Sequence, residues 1–108
     1  MNSPRRYTGS RTIAGPQKVR VHFDAALAKW LSPKRSQKVL NHSPQGFEWG
    51  YGGSGPAQLA LAILLDFGVA RPRAIALYQR FKTDVIAKLP AEWILDASEI
   101  RKWLEGEK

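Results

Sequence analysis

The six residues Lys18-Val19-Arg20-Val21-His22-Phe23 alternate polar and apolar, which is the period of a strand with one buried face. Val19, Val21 and Phe23 are expected to face a core, and Lys18, Arg20 and His22 the wet side. Arg6-Tyr7-Thr8 is a candidate first strand closed by Gly9-Ser10, and Gly15-Pro16 marks a turn between the two. Residues 24–35 fit two readings. Asp24 can cap a short helix carrying Leu27, Trp30 and Leu31 at i, i+3 and i+4, or the segment crosses irregularly and ends at Ser32-Pro33. Trp93-Ile94-Leu95 predicts a short final strand.

A sharper turn signal follows at Ser43-Pro44-Gln45-Gly46. Proline holds φ at about −65°, which suits the second position of a type I turn, with Gly46 then left-handed. This pattern predicts a three-residue hairpin with a G1 bulge over 37–51. Its register sets Ser43 opposite Phe47, His42 opposite Glu48 and Asn41 opposite Trp49. Val39, Phe47, Trp49 and Tyr51 then share a core face, while His42 and Glu48 stand side by side on the other.

The 3.6-residue period takes over at Pro56. Gly55 or Ser54 can be the N-cap and Pro56 the first helical residue, where no N–H is needed. From Ala57 to Leu65 every residue is apolar except Gln58. A helix without a polar face must be covered on most sides, so a helix over about 56–67 is expected at the centre, with Gly68 as its left-handed cap. Ala74, Leu77, Tyr78, Phe81, Val85 and Leu89 make one apolar stripe of an amphipathic helix over about 72–88, stopped by Pro90. Arg73, Arg80, Thr83, Asp84 and Ala87 fall on its outer side. Asp96 and Glu99 have capping-box spacing for a last helix over about 97–105, docked by Ile100, Trp103 and Leu104. The expected class is α+β: a small antiparallel sheet of about four short strands, including the 37–51 hairpin, packed on a central apolar helix. One domain is expected over 1–108, with residues 1–4 loosely ordered.

Composition agrees with this picture. A chain of 108 residues with 44% hydrophobic and 24% charged residues can build one ordinary core. There is no cysteine, hence no disulfide and no thiolate metal site, which fits a reducing compartment. The leading residues lack the apolar stretch of a signal peptide. The longest apolar run, Leu59 to Leu65, falls far short of the roughly 20 residues of a membrane span. A cytoplasmic protein with no membrane partner is expected.

Charge placement changes the picture more. The net charge of +8 lies wholly in residues 1–40, where nine Lys and Arg face a single Asp24; beyond residue 40 the signs balance. A one-sided positive field attracts nucleic acid or an acidic protein surface. The candidate contacts are Arg5, Arg6, Arg11, Lys18, Arg20, Lys34, Arg35 and Lys38.

Candidate chemistry is sparser. Gly50-Tyr51-Gly52-Gly53-Ser54-Gly55 matches G-x-G-x-x-G, the dinucleotide fingerprint. That motif needs a parallel strand after its helix and an acidic residue near the end of that strand. Here a second helix follows, the upstream strand belongs to a hairpin, and the lysine of a phosphate-binding P-loop is missing. A Rossmann unit is therefore excluded. Free backbone N–H groups at such a helix start can still hold an anion, which makes Gly53 and Ser54, with His42 and Glu48, candidate anion or partner contacts. The structural alternative is that the glycines let the chain turn closely against the sheet. His42 beside Glu48 is the one acid–base pair the register supplies, and Ser43 and Ser54 are near it only in sequence. Two histidines, no cysteine and no carboxylate pair at ligand spacing predict no metal and no cofactor. Phe47, Trp49 and Tyr51 can stack nucleic-acid bases, but beneath an apolar helix they serve better as core.

The run from Asn41-His42-Ser43-Pro44 through Gly46-Phe47-Glu48-Trp49-Gly50-Tyr51-Gly52-Gly53-Ser54-Gly55-Pro56-Ala57-Gln58 to Leu64 resembles an uncharacterised domain-of-unknown-function family. Its members are short proteins of bacteria, plasmids, integrative elements and phages. The likeness extends to Arg6-Tyr7 with Gly9 and to Leu77-Tyr78-Gln79-Arg80-Phe81-Lys82, and is weakest over 22–35. The resemblance supplies no catalytic residues. It implies a setting, the accessory genes of mobile elements, whose small products often bind DNA, host machinery or defence complexes. The expectation is a non-enzymatic binding or accessory protein that meets nucleic acid or an acidic protein through its basic N-terminal half. The alternatives are an inhibitor of a host defence complex such as CRISPR, and an enzyme acting on a phosphorylated or nucleotide ligand at the Gly-rich turn.

Overall fold

The computed structural model describes residues 5–23 and 27–107. Strands β1 (Arg6–Ser10), β2 (Val19–His22), β3 (Ala28–Trp30) and β4 (Glu92–Asp96) form one antiparallel sheet in the order β3-β2-β1-β4. The two-residue period sorts its side chains as expected for β2. Tyr7, Val19, Val21, Trp93 and Leu95 point inward and are buried, whereas Arg6, Ser10, Arg20, Trp30 and Ile94 point outward and are exposed. Gly9 lies on the inner face beneath the Trp93 indole. A Cβ there would stand 2.6 Å from Trp93 Nε1, so only glycine lets the ring cross the strand.

Four α-helices complete the α+β fold: α1 (Lys34–Val39), α2 (Ser54–Phe67), α3 (Arg71–Asp84) and α4 (Ala97–Glu105). Every residue of α2 from Gly55 to Leu65 is buried, as an all-apolar helix requires. It packs between α1, α3 and the inner-face side chains of the sheet. Gly68 ends it at φ +106°, donating its N–H to the Leu64 and Leu65 carbonyls. Pro56 is the third helical residue rather than the first, with Gly53 as N-cap; it is still within the turn whose N–H groups have no helical acceptor. Asp96 caps α4 and donates its N–H to Glu99 Oε1 at 3.0 Å, the expected capping box. Among the described residues no helix is long and apolar enough to cross a membrane.

Three further expectations need correction. The 37–51 hairpin does not form: residues 34–39 are helical, and Phe47 makes one isolated bridge, to Gln17. The turn itself survives, with Gly46 at φ +114° donating its N–H to the Ser43 carbonyl at 3.1 Å. Gln58 explains why its flanks do not pair. From inside α2 its Oε1 accepts the N–H groups of His42 and Ser43 at 2.8 and 3.0 Å. Its Nε2 donates to Ser36 Oγ and the Leu40 carbonyl at 2.9 and 3.0 Å. Backbone groups that a hairpin would use are thus held by a buried side chain, and the strand position goes to Ala28–Trp30 instead. Neither the helical nor the irregular reading of 24–35 anticipated that strand. The Asp24 cap of the helical reading, like the loose order of residues 1–4, falls outside the described residues.

The second correction is the end of α3. The expected helix to residue 88 stops at Asp84, Val85 leaves the helical region at φ −121°, and one 3-10 turn, Ile86–Lys88, follows. The break buries Ile86 completely and frees its carbonyl to accept the Gly50 N–H at 3.0 Å. Third, Tyr51 is not core but 52% exposed. Gly50, at φ +87°, turns the chain away from the inner layer.

Candidate polyanion-binding face

The eight basic candidates are sorted by the fold into three groups. Arg5, half-buried, and Arg11, on the surface, brace other parts of the chain. Arg5 donates to Asp66 Oδ2 at 2.7 Å and to the Asp66 carbonyl near the end of α2. Tyr7 donates its hydroxyl to the same Oδ2 at 2.7 Å. Burial, with the Asp66 carboxylate beside it, pushes the Tyr7 hydroxyl far above the usual phenol range. Arg11 bonds Glu48 Oε1 at 2.8 Å and the Trp49 carbonyl at 2.7 Å, with its guanidinium over the Trp49 indole. These cations already have their anions and acceptors.

Arg6, Lys18 and Arg20 make the second group, on the outer side of the sheet. Arg6 shares its charge with Asp96 at 2.9 Å. Lys18 and Arg20 are exposed and have no carboxylate partner among the described residues. Both lie against one side chain: Arg20 Cζ is 4.5 Å and Lys18 Nζ 5.4 Å from the Trp30 ring centroid. Register dictates this, because Arg20 of β2 pairs with Trp30 of β3.

The third group, Lys34, Arg35 and Lys38, is exposed on α1, where Arg35 also reaches the Leu65 carbonyl at 3.3 Å. Trp30 joins the two exposed groups. It lines a groove of about 1030 Å³ over the outer sheet face with Thr8, Lys18, Arg20 and Ile94. It also lines a second groove, of about 270 Å³, with Lys29 and Arg35. The larger groove is walled by the loop over 11–17, which buried Gln17 fixes by accepting the Thr12 N–H at 2.7 Å and donating to the Thr12 carbonyl at 3.1 Å.

The other candidate contacts are not brought together. His42 and Glu48 do not pair, because the hairpin that would align them is absent. The His42 Nε2 is hydrogen-bonded to the Tyr78 hydroxyl, and Glu48 is held by Arg11. Gly53 is the N-cap of α2, and Ser54 is exposed in its first turn. A Cβ on the neighbouring Gly55 would stand 2.6 Å from Glu48 Cβ, so that glycine serves close packing. Phe47 and Trp49 are core, with Trp49 edge-on to Trp93 at 5.5 Å between centroids.

A family model matches residues 7–106, from within β1 through the end of α4. The chain belongs to the family of unknown function DUF6166. No curated protein and no solved structure matches it. The span matched to DUF6166 contains Lys18, Arg20, Trp30, the α1 cations and the Gly-rich turn, and leaves Arg5 and Arg6 outside.

Trp30 is the residue that sequence reasoning missed. Its signal was present, a tryptophan among cations in the basic third of the chain. A three-residue strand is too short to show alternation, however, so nothing local assigned Trp30 to the outer face of a sheet.

Proposed function

We propose that this DUF6166 protein is a non-enzymatic accessory protein that binds nucleic acid on the open face of its sheet, in a bacterial mobile-element or phage setting. The observation that carries this reading is the pair Lys18 and Arg20, exposed on the outer face of the sheet and, among the described residues, without carboxylate partners or a helix above them. Cations already paired, such as Arg5 and Arg11, gain little from a phosphate. Unpaired ones release counterions when they meet it. Lys29 and Arg35, which share the second groove with Trp30, extend the positive surface past it. On the β4 side the face carries Glu92 and Asp96, so phosphates are favoured over β2 and β3.

The test is binding of labelled DNA and RNA oligonucleotides over a salt series. Affinity should fall as salt rises, by about 0.7 to 0.9 log units per log unit of salt for each phosphate neutralised. Charge reversal of Lys18 and Arg20 together should weaken binding by about tenfold or more and flatten that slope. Reversal at Lys34, Arg35 and Lys38 should do so to a lesser degree. Absence of binding at low salt, or binding indifferent to salt, overturns the reading and leaves an acidic protein surface as the partner to seek.

A further inference from the structure

We infer that the nucleic acid held on this face is single-stranded and that one of its bases stacks on Trp30; this rests on the nucleic-acid reading above. Trp30 is 52% exposed on the edge strand β3, and the groove over the outer sheet face that it lines also holds Lys18 and Arg20. Its neighbours do not cover it with apolar side chains; they place Lys18 and Arg20 against it. A base can stack on the indole opposite Arg20 or in the place of its guanidinium, and the displaced or neighbouring cations then meet the phosphates on either side of that base. Duplex DNA or RNA hides its base faces within the stack, so only an unpaired strand can use the indole.

The sheet adds direction. Register places Trp30, Arg20, Thr8 and Ile94 in one row across all four strands. Three strand spacings put its ends about 14 Å apart. At the far end Ile94 is 61% exposed, a second apolar surface on the same floor. Thr8 in the middle is hydrogen-bonded to His22 at 2.9 Å. A row running from an aromatic end past a cation to an aliphatic end suits a strand crossing the sheet with its bases down. A smooth acidic protein surface would leave the indole and Ile94 unmatched.

The experiment compares three probes of equal charge: a short oligothymidylate, an abasic deoxyribose-phosphate oligomer and a hairpin duplex. Wild-type protein should bind the oligothymidylate about tenfold more tightly than the abasic oligomer, the size of one stacked base, and more tightly than the duplex. Trp30→Ala should erase that margin while leaving abasic binding unchanged, and Trp30→Phe should keep most of it. Circular dichroism confirms that the variants fold. Equal wild-type binding of the base-bearing and abasic probes, a duplex bound as well as the single strand, or an equal loss on both single-stranded probes in Trp30→Ala overturns the stacking inference while the charge reading stands. Failure of all three probes to bind overturns both.

Discussion

The two sides of the same sheet handle polar groups in opposite ways. Beneath it, Arg5, Tyr7 and Asp66 close on one another, and Gln58 uses both ends of its amide on four partners. On the outer face Lys18 and Arg20 find no carboxylate among the described residues, and Trp30 and Ile94 stay in water. Folding accounts for the first set, because buried polar groups must be satisfied. It does not account for the second. A residue's charge is therefore a poor guide to its role in this chain: position relative to the sheet decides whether an arginine braces the core, as Arg5 does, or stands exposed on the outer face, as Arg20 does.

The contrast can be broken experimentally, and the largest effect should come from Gln58→Leu. It strands two N–H groups and a carbonyl at the α1–α2 junction, and unfolding in denaturant should show a loss of about 3 kcal/mol. Gly9→Val comes next. Its side chain would collide with the Trp93 indole, and the expected cost is about 2 kcal/mol or more, read as a lower thermal midpoint. Arg5→Met leaves the partly buried Asp66 carboxylate without its cation and should cost about 2 kcal/mol by the same measurement.

Tyr7→Phe removes one hydrogen bond and should cost about 1 kcal/mol. It also sharpens a pH dependence. The folded protein holds the Tyr7 proton more tightly than the unfolded chain, so this contribution is complete below the ordinary phenol value of about 10 and is lost as pH rises beyond it. The alkaline fall in thermal midpoint should therefore be shallower in Tyr7→Phe than in wild type. Smallest of all for stability are Lys18→Ser, Arg20→Ser and Ile94→Thr on the outer face, each within about 0.5 kcal/mol. Loss of more than that from Arg20→Ser would make the outer cations structural and dissolve the contrast.

Much of the frame was legible in residue patterns. The all-apolar run from Ala57 to Leu65 could only be a covered helix, Asp96 with Glu99 could cap one, and alternation over 18–23 assigned faces to a strand. The errors share a cause. Ser43-Pro44-Gln45-Gly46 specifies its turn by local backbone chemistry, but whether the flanks pair depends on what else competes for their N–H and carbonyl groups. Gln58, fifteen residues along from Ser43, won that competition. The sequence marked Gln58 as the lone polar residue in an apolar helix without naming its partners. The His42–Glu48 pair fell with the hairpin, and Trp30 went unassigned because the two-residue period needs more than three residues to show.

From the sequence alone come the α+β class, a central helix launched from the Gly-rich turn, and a net positive charge confined to the first 40 residues. These follow from composition, periodicity and capping, which act within a few neighbouring residues. Tertiary structure alone decided which cations meet carboxylates and which, among the described residues, do not. It set Asp66 beside Arg5 and Glu48 beside Arg11, and aligned Arg20 with Trp30 across two strands. Pairings of that kind join residues far apart in the chain, and only the closed fold brings their charges and rings within reach.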